Sequence, residues 1–524
     1  MNRFADLLDG LVFMPSRNGK LTLLGDYFRT TPDPDRGWAL AALAGTLDLK
    51  TAKPALLREL IGERTDPELF RWSYDYVGDL AETCALMWPS ADQAGGQGAA
   101  PSLGEVVTAL NATGRAGVPA LLTAWLDALD ATGRWALLKL VTGGLRVGVS
   151  ARLAKTAFAT AFDKPVAEVE ELWHGLAPPY QPLFAWGEGR ADKPDIAALP
   201  VFRPFMLAHP LEDGDRLDPS AFFAEWKWDG IRVQVVARGS DRRLYSRAGD
   251  DISRAFPDVV EAIACEGIFD GELLVRGDDG SVAPFNHLQQ RLNRKTVGRT
   301  LLARHPAFVR LYDVLFDGRQ DVRGHPLTER RPILEGRAAH LPPERFDLSD
   351  LLTVRDWAEL EALRARARSA GMEGLMLKRR DAPYTAGRQK GLWYKWKRDP
   401  LTADLVLMYA QRGHGKRSSF YSDYTFGAWA GDGLLPVGKA YSGFTDDELV
   451  MLDRWVRGHT TNRFGPVREV EKALVLEVAF DSIHASKRHK SGLAMRFPRI
   501  KRIRTDKPAA EADRLETLAA LAQG

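Results

Sequence analysis

Three regions of different class are predicted along the chain. An all-α region comes first, then an α+β region with antiparallel strands, then a region of short strands that suits a small β-barrel. Three observations predict this. Apolar residues recur at three- and four-residue steps from residue 1 to about 195. A proline-rich stretch then breaks the pattern. Beyond it, aromatic and β-branched runs are bounded by turn signals. The length of 524 residues fits three domains, at about 100–200 residues each.

The helical periodicity is clearest in Val118 to Leu129, near Trp135 to Val141, and in Ala151 to Phe162. Gly133 and the Gly143-Gly144 pair punctuate these segments. Residues 91–104, rich in Ala, Gly and Gln, read as a flexible loop. Gly187-Glu188-Gly189 and the prolines at 194, 200, 204 and 210 predict an extended linker. Strands are then expected at Phe222 to Trp228, Ile231 to Val236, Arg243 to Ser246 and Phe269 to Val275, with a helix around Pro257 to Ala264. After the Asp399-Pro400 break come Leu405 to Tyr409, Tyr424 to Trp429 and Leu474 to Phe480. The stretch Ala509 to Ala522 predicts one terminal helix.

Charge is nearly balanced: 72 Lys+Arg against 69 Asp+Glu. A uniformly basic coat is excluded, but local basic surfaces are not. Residues 484–507 hold nine Lys/Arg and one acid, Asp506, a run suited to phosphate contact. Two cysteines, Cys84 and Cys265, cannot form a disulfide framework and read as reduced. The start lacks the order of a signal peptide, and no stretch has the roughly 18 apolar residues of a membrane span. A soluble, cytoplasmic protein is expected, with no membrane partner.

The chemistry concentrates around Glu225-Trp226-Lys227-Trp228-Asp229-Gly230-Ile231-Arg232. A lysine at a strand end before a tight turn is held firmly. Arg247 follows, carboxylates recur at Glu272 and Glu373, and lysines stand at Lys378, Lys395 and Lys397. Such a set suits a nucleotide: carboxylates for Mg²⁺, basic groups for phosphate, an aromatic for a base. Lysine can also be a nucleophile, although at its ordinary pKa of about 10.4 only on the order of one in a thousand is neutral near pH 7.4. Nearby positive charge lowers that cost. His414-Gly415-Lys416 resembles a P-loop only superficially, because Arg417 and Ala410 stand where Ser/Thr and Gly belong.

In order, these segments resemble the motifs of the ATP-dependent DNA ligases, within the covalent nucleotidyltransferase superfamily. Lys227-Trp228-Asp229-Gly230-Ile231-Arg232 matches motif I and Ser246 to Asp251 resembles motif Ia. Asp270-Gly271-Glu272 matches motif III and Leu311 to Leu315 resembles motif IIIa. Glu373 to Lys378 matches motif IV and Trp393 to Lys397 matches motif V. Arg496 to Arg499 and Arg504 to Lys507 resemble motif VI. Pro326 to Arg331 and Gly143 to Val149 resemble further ligase segments.

The resemblance implies a compact bacterial three-domain ligase: an all-α DNA-binding domain (1–200), an adenylation domain (201–399) and an OB-fold domain with a C-terminal helix (400–524). Joints near 190–205 and 399–402 would let these close around a nick. It implies ATP, with Mg²⁺ (or Mn²⁺), and nicked duplex DNA as partner. Lys227 would accept AMP. Glu225 would contact the adenine edge, Tyr312 would stack on adenine, and Arg232 and Glu272 would contact ribose. Arg247 would hold the 5′-phosphate of the nick. Glu373, with Glu272, would serve the metal. Lys395 and Lys397 would contact the AMP phosphate. Arg496, Arg499, Asp506 and Lys507 would orient pyrophosphate, and Arg146 would meet DNA phosphate. Association with a helicase and an exonuclease, a monomeric state and a nucleoid-associated location are implied in the same way.

Overall fold

The computed structural model describes all residues except 48, 50–52, 90–98, 198, 213–215, 293, 295, 414–418, 487–488 and 523–524. The P-loop-like residues 414–416 and most of the expected 91–104 loop thus lie outside the described residues. Leu103 already opens a helix. The chain forms two compact units. One comprises Met1–His209, Asp229–Asp350 and Lys378–Trp393; the other comprises Pro210–Trp228, Leu351–Leu377 and Tyr394–Gly524.

In the first unit, the elements described between Asn2 and Gly187 are all helices, as the periodicity predicts. The three predicted segments become helices Val118–Ala128, Ala131–Val141 and Ala151–Ala161. Asp130 and Ser150 cap the last two, accepting from the Gly133 and Leu153 N–H groups at 2.7 and 3.2 Å. Leu103–Ala112 opens on a capping box between Ser102 and Glu105. Phe28, Phe158 and Phe184 meet edge-to-face in a dry core. The loop at 143–149 is anchored by Lys20, whose ammonium donates to the carbonyls of Val147 (2.8 Å) and Gly148 (3.1 Å).

The proline-rich stretch forms no helix, but it is packed rather than a free linker: Ile196, Phe202, Phe205 and Met206 are buried. After it comes a six-stranded sheet. Its strands are β3 (Ile231–Arg238), β4 (Asp241–Ser246), β5 (Gly267–Val275), β6 (Ala307–Asp317), β7 (Gln320–Asp321) and β8 (Phe346–Leu348), in order β4-β3-β5-β6-β7, with β8 on β6. The pairing is antiparallel as expected except that β8 runs parallel to β6. The helix expected around Pro257 to Ala264 is only Pro257–Val260. Ala262 and Ile263 instead close three-residue turns onto Val259 and Val260, which end the helix.

His174 ties the helical region to this sheet. Its ring meets Phe202 edge-on at 4.9 Å. A Cβ at Gly249 (φ +87°) would lie 2.3 Å from its Cε1, so only glycine fits that turn. Burial, with Lys155 adding repulsion, lowers the imidazole pKa to about 4. The folded state therefore resists a proton that the unfolded chain takes up below about pH 6.5. Stability should fall as pH drops from about 6.5 towards 4, at no more than about 1.4 kcal/mol per pH unit from this group. Urea midpoints of wild type and His174→Phe across that range check this: the variant's curve should be flatter.

Most residues of a four-stranded sheet belong to the second unit. Its strands are β1 (His209–Pro210), β2 (Phe222–Lys227), β9 (Gly374–Arg379) and β10 (Trp393–Lys397), in the order β1-β10-β9-β2. Leu211, Ala224, Leu360, Leu375, Leu377 and Trp396 form its core. A larger antiparallel sheet follows: β11 (Leu401–Arg412), β12 (Tyr421–Ala430), β13 (Gly433–Ala440), β14 (Thr460–Phe464), β15 (Val467–Val470), β16 (Val475–Phe480) and β19 (Arg499–Arg504). Its main path is β13-β12-β11-β15-β14, and β16 bridges β11 and β19. β17 (Ser482–Ala485) and β18 (Leu493–Arg496) form a separate hairpin.

The predicted terminal helix is not continuous. Ala509–Glu511 is a short 3₁₀ turn and the α-helix is Leu515–Leu521. Between them Asp513 is recruited by tertiary hydrogen bonds: its carbonyl accepts from Trp429 N–H, and its carboxylate accepts from Asp404 N–H at 2.8 Å. Those bonds override the local helical preference.

Candidate active site

Most of the residues singled out in the sequence fall into two clusters, one on each unit; Arg146, Arg247, Asp506 and Lys507 stand apart from them. On the first unit, period-two alternation along β5 puts Asp270 and Glu272 on one face. Arg232, on β3, forms a fork with Asp270 (Nε at 3.0 Å, Nη2 at 2.6 Å). The Tyr384 hydroxyl donates to the same carboxylate at 2.7 Å. Burial works against the Arg232 charge, but the Asp270 carboxylate outweighs it and holds the guanidinium protonated. Arg232 also lies 4.3 Å from the Phe205 ring centre.

Tyr312, on β6, belongs to this cluster. Burial pushes its phenol well up; Arg232 opposes this, while Asp270 and Glu272 reinforce it, so the ring stays neutral. Lys378 is buried, with its ammonium 4.1 Å from the Tyr312 ring centre and 4.8 Å from that of Trp393. Asp270, Tyr384 and the packing of Lys378 are additions to the sequence reading. The Asp270-Gly271-Glu272 spacing was a signal for the first; Tyr384 gave none. Arg247 is exposed in the turn that follows β4. Arg146 is exposed between two helices and makes no ion pair with any described residue.

On the second unit, Glu225 and Lys227 share a face of β2 two residues apart. Glu225 is buried. The Lys227 ammonium is ion-paired and hydrogen-bonded to the Glu373 carboxylate. The backbone sets this up: Glu373 N–H donates to the Lys227 carbonyl at 2.9 Å, and Arg398 N–H donates to the Glu373 carbonyl at 3.0 Å. Gly374 (φ +145°) permits it, since a Cβ there would lie 2.2 Å from the Trp396 carbonyl oxygen. Burial pushes the Glu373 carboxyl up, but Lys227, Lys397 and Arg496 outweigh it and hold it below its ordinary value. Glu373 is therefore an anion at neutral pH.

Lys395 is half-buried and Lys397 exposed, on either side of buried Trp396 along β10. The Lys397 ammonium lies 3.3 Å from Asp481, and Arg499 pairs with the same carboxylate at 3.0 Å. Burial raises the Asp481 carboxyl; Lys397 and Arg499 bring it below its ordinary value. Asp481 carried no motif signal, yet it joins two predicted phosphate-binding cations. Arg496 ends β18, with its guanidinium 5.2 Å from the Phe497 ring centre. Asp506 and Lys507 are engaged elsewhere, with Arg504 (2.9 Å) and Asp404 (2.8 Å).

Among the described residues, no three His, Cys, Asp or Glu side chains come together as a metal-holding group. Mg²⁺ is usually held by one or two carboxylates together with substrate phosphates. Glu373, kept ionised, fits that limited role. No described helix is long and apolar enough to cross a membrane.

Comparison with known proteins identifies the family. Residues 205–397 match the family described as ATP dependent DNA ligase domain, and residues 417–507 match the ATP dependent DNA ligase C terminal region. A probable DNA ligase of Koribacter versatilis is 37% identical over 413 residues, covering 72% of this chain and 70% of the relative. A DNA ligase of Natronomonas pharaonis is 36% identical over 396 residues, covering 73% and 70%. The solved structure Pmar-Lig_Pre covers 96% of this chain and 99% of its own, with a TM-score of 0.60 at 17% identity, a likeness of fold alone. With two family regions matched in order, and relatives above one-third identity over most of their length, the chain belongs to the ATP-dependent DNA ligases.

Proposed function

We propose that this protein seals 5′-phosphate/3′-hydroxyl nicks in duplex DNA, with Lys227 as the nucleophile. The observation that carries the reading is the Lys227–Glu373 pair, built by adjacent backbone hydrogen bonds beside Lys397. The pair orients the amine. In the first step Lys227 Nζ, having lost a proton, attacks the α-phosphorus of ATP; a P–N bond forms and pyrophosphate leaves. AMP then passes to the 5′-phosphate of the nick. The 3′-hydroxyl attacks that phosphorus, forms the phosphodiester and expels AMP.

The roles that the family motifs imply are carried over as proposals. Glu225 reads the adenine edge, Tyr312 stacks on the base, and Arg232 and Glu272 address the ribose. The fork to Asp270 holds Arg232 in place for that contact. Lys395 and Lys397 take the AMP phosphate, Arg496 and Arg499 the pyrophosphate, and Arg146 and Arg247 the DNA. Glu373 and Glu272 are the groups that would hold Mg²⁺. When bound, that ion supplies charge neutralisation at the phosphates.

The reading extends to a helical DNA-binding domain at 1–200, an adenylation domain at 201–399 and an OB-type barrel at 400–524. The matched ranges 205–397 and 417–507 fall within the second and third of these. A monomer in the cytoplasm at the nucleoid, working with a helicase and an exonuclease, completes it.

The test is label transfer from α-labelled ATP or GTP to the full-length protein, after pyrophosphate treatment to remove any AMP carried through purification, followed by a chase with nicked DNA. ATP label discharged as sealed DNA is expected. Labelling by GTP would instead favour a capping-type guanylyltransferase. Retained nick binding without any labelling would favour a non-catalytic scaffold.

A further inference from the structure

We propose that the cavity beside Arg247 is a subsite for an internucleotide phosphate of the DNA strand, held by Arg254 and Arg294. This rests on the ligase reading above.

The turn after β4, the Ser253–Ala255 helical turn, Leu292 and Arg294 close around a cavity of about 540 Å³ on the first unit. Its floor is apolar: Ile231, Ile252, Ala255 and Leu292. Its rim carries three exposed guanidinium groups, Arg247, Arg254 and Arg294. The wall also carries two carboxylates, each with a partner of its own. Asp250 lies 3.3 Å from the Ser246 hydroxyl. Asp251 accepts the Ser253 N–H at 2.9 Å and lies 3.5 Å from Arg243, outside the cavity. Arg294 spends Nε on the Gln290 carbonyl at 2.6 Å, leaving its terminal nitrogens. The guanidinium groups of Arg247 and Arg254 make no hydrogen bond or ion pair with any described residue.

Three guanidinium groups outnumber the two carboxylates, so an anion complements the rim, and guanidinium favours phosphate oxygens. The apolar floor adds what a bare anion does not use: a surface for deoxyribose. A DNA strand presents both, with successive phosphates for separate arginines. If Arg247 takes the 5′-phosphate of the nick, Arg254 and Arg294 take a neighbouring linkage. They are positioning residues that set the strand's register without reading its sequence.

The test compares full-length wild type with Arg254→Ala, Arg294→Ala and the double variant. The nicked duplexes carry a neutral methylphosphonate at one linkage near the nick at a time. Each substitution should raise KM for DNA about tenfold and flatten the salt dependence of binding by about one counterion per lost contact. One methylphosphonate position should cost wild type about as much and cost the double variant nothing further. Penalties that add at every position, or an unchanged KM, would overturn the proposal. So would a matching loss of lysyl-AMP formation, which would assign these arginines to folding. Inorganic phosphate that competes with DNA in wild type but not in the variant, without a methylphosphonate effect, would make this a simple anion site and overturn the strand assignment. A wild type that neither binds nor seals nicked DNA would overturn the ligase reading itself, independently of any variant.

Discussion

Replacing Lys227 with arginine should abolish transfer of AMP from ATP to the protein, by about a thousandfold or more. The figure follows from acid–base chemistry. Near pH 7.4 a guanidinium gives up its proton at least about a thousandfold less readily than an alkylammonium group. Only the neutral group can attack phosphorus. Arginine keeps the positive charge and can still pair with Glu373, so the local ion pair survives while the nucleophile is lost. That makes Lys227→Arg more informative than Lys227→Ala, which would leave Glu373 without its closest counter-charge. The measurement is gel-resolved label on the protein after incubation with α-labelled ATP. Sealing of DNA that already carries AMP should fall much less, because that step needs no fresh lysyl-AMP. Full labelling of the arginine variant would place the nucleophile elsewhere.

What the sequence made legible was residue type in and beside strands. Lys227 before Asp-Gly, Glu272 and Glu373 in strand-like runs, and Lys395 and Lys397 flanking a tryptophan all stand in or beside strands of the structure. For Glu373, the strand begins at the next residue. Period-two alternation is a local property, so it survives folding. Partners are not local. Lys227 and Glu373 are 146 positions apart, and nothing in either segment names the other. Asp481 is likewise distant from Lys397 (84 positions) and Arg499 (18 positions), and it sits between two strands with no motif of its own. Lys20 was invisible for the same reason: its two acceptors are backbone carbonyls 127 and 128 residues away. The errors have the same origin. The Ala509 to Ala522 segment has a helical composition, but hydrogen bonds from Trp429 and Asp404 to Asp513 break it. The proline-rich stretch reads as a linker because prolines disfavour helix, and its described residues form none. Its phenylalanines, which pack it down, were the opposing signal.

Replacing Arg330 with methionine should destabilise the protein by about 3–5 kcal/mol, the usual cost of stripping one partner from a buried ion pair. Arg330 and Asp313 have fully buried side chains. The fork is complete: Nε and Nη2 reach the two Asp313 oxygens at 2.8 and 2.9 Å. A third nitrogen donates to the carbonyls of His325 and Ala382. The sequence drew attention to this arginine only as part of a ligase-like segment; the structure gives it a mechanical role. It joins β6, where Asp313 follows Tyr312, to the segment carrying Tyr384 and Trp393. Tyr384 in turn holds Asp270, which holds Arg232. Loss of Arg330 should therefore loosen the Tyr312 face as well as lower stability, and KM for ATP in the labelling reaction should rise. Adding Asp313→Leu to Arg330→Met should recover part of the lost stability, because removing both charges ends the desolvation penalty. Urea unfolding of the three variants separates the cases. If Arg330→Met lost less than about 1 kcal/mol, Asp313 would have to find water or another donor. The chain from Arg330 to the nucleotide face would then be coincidental packing.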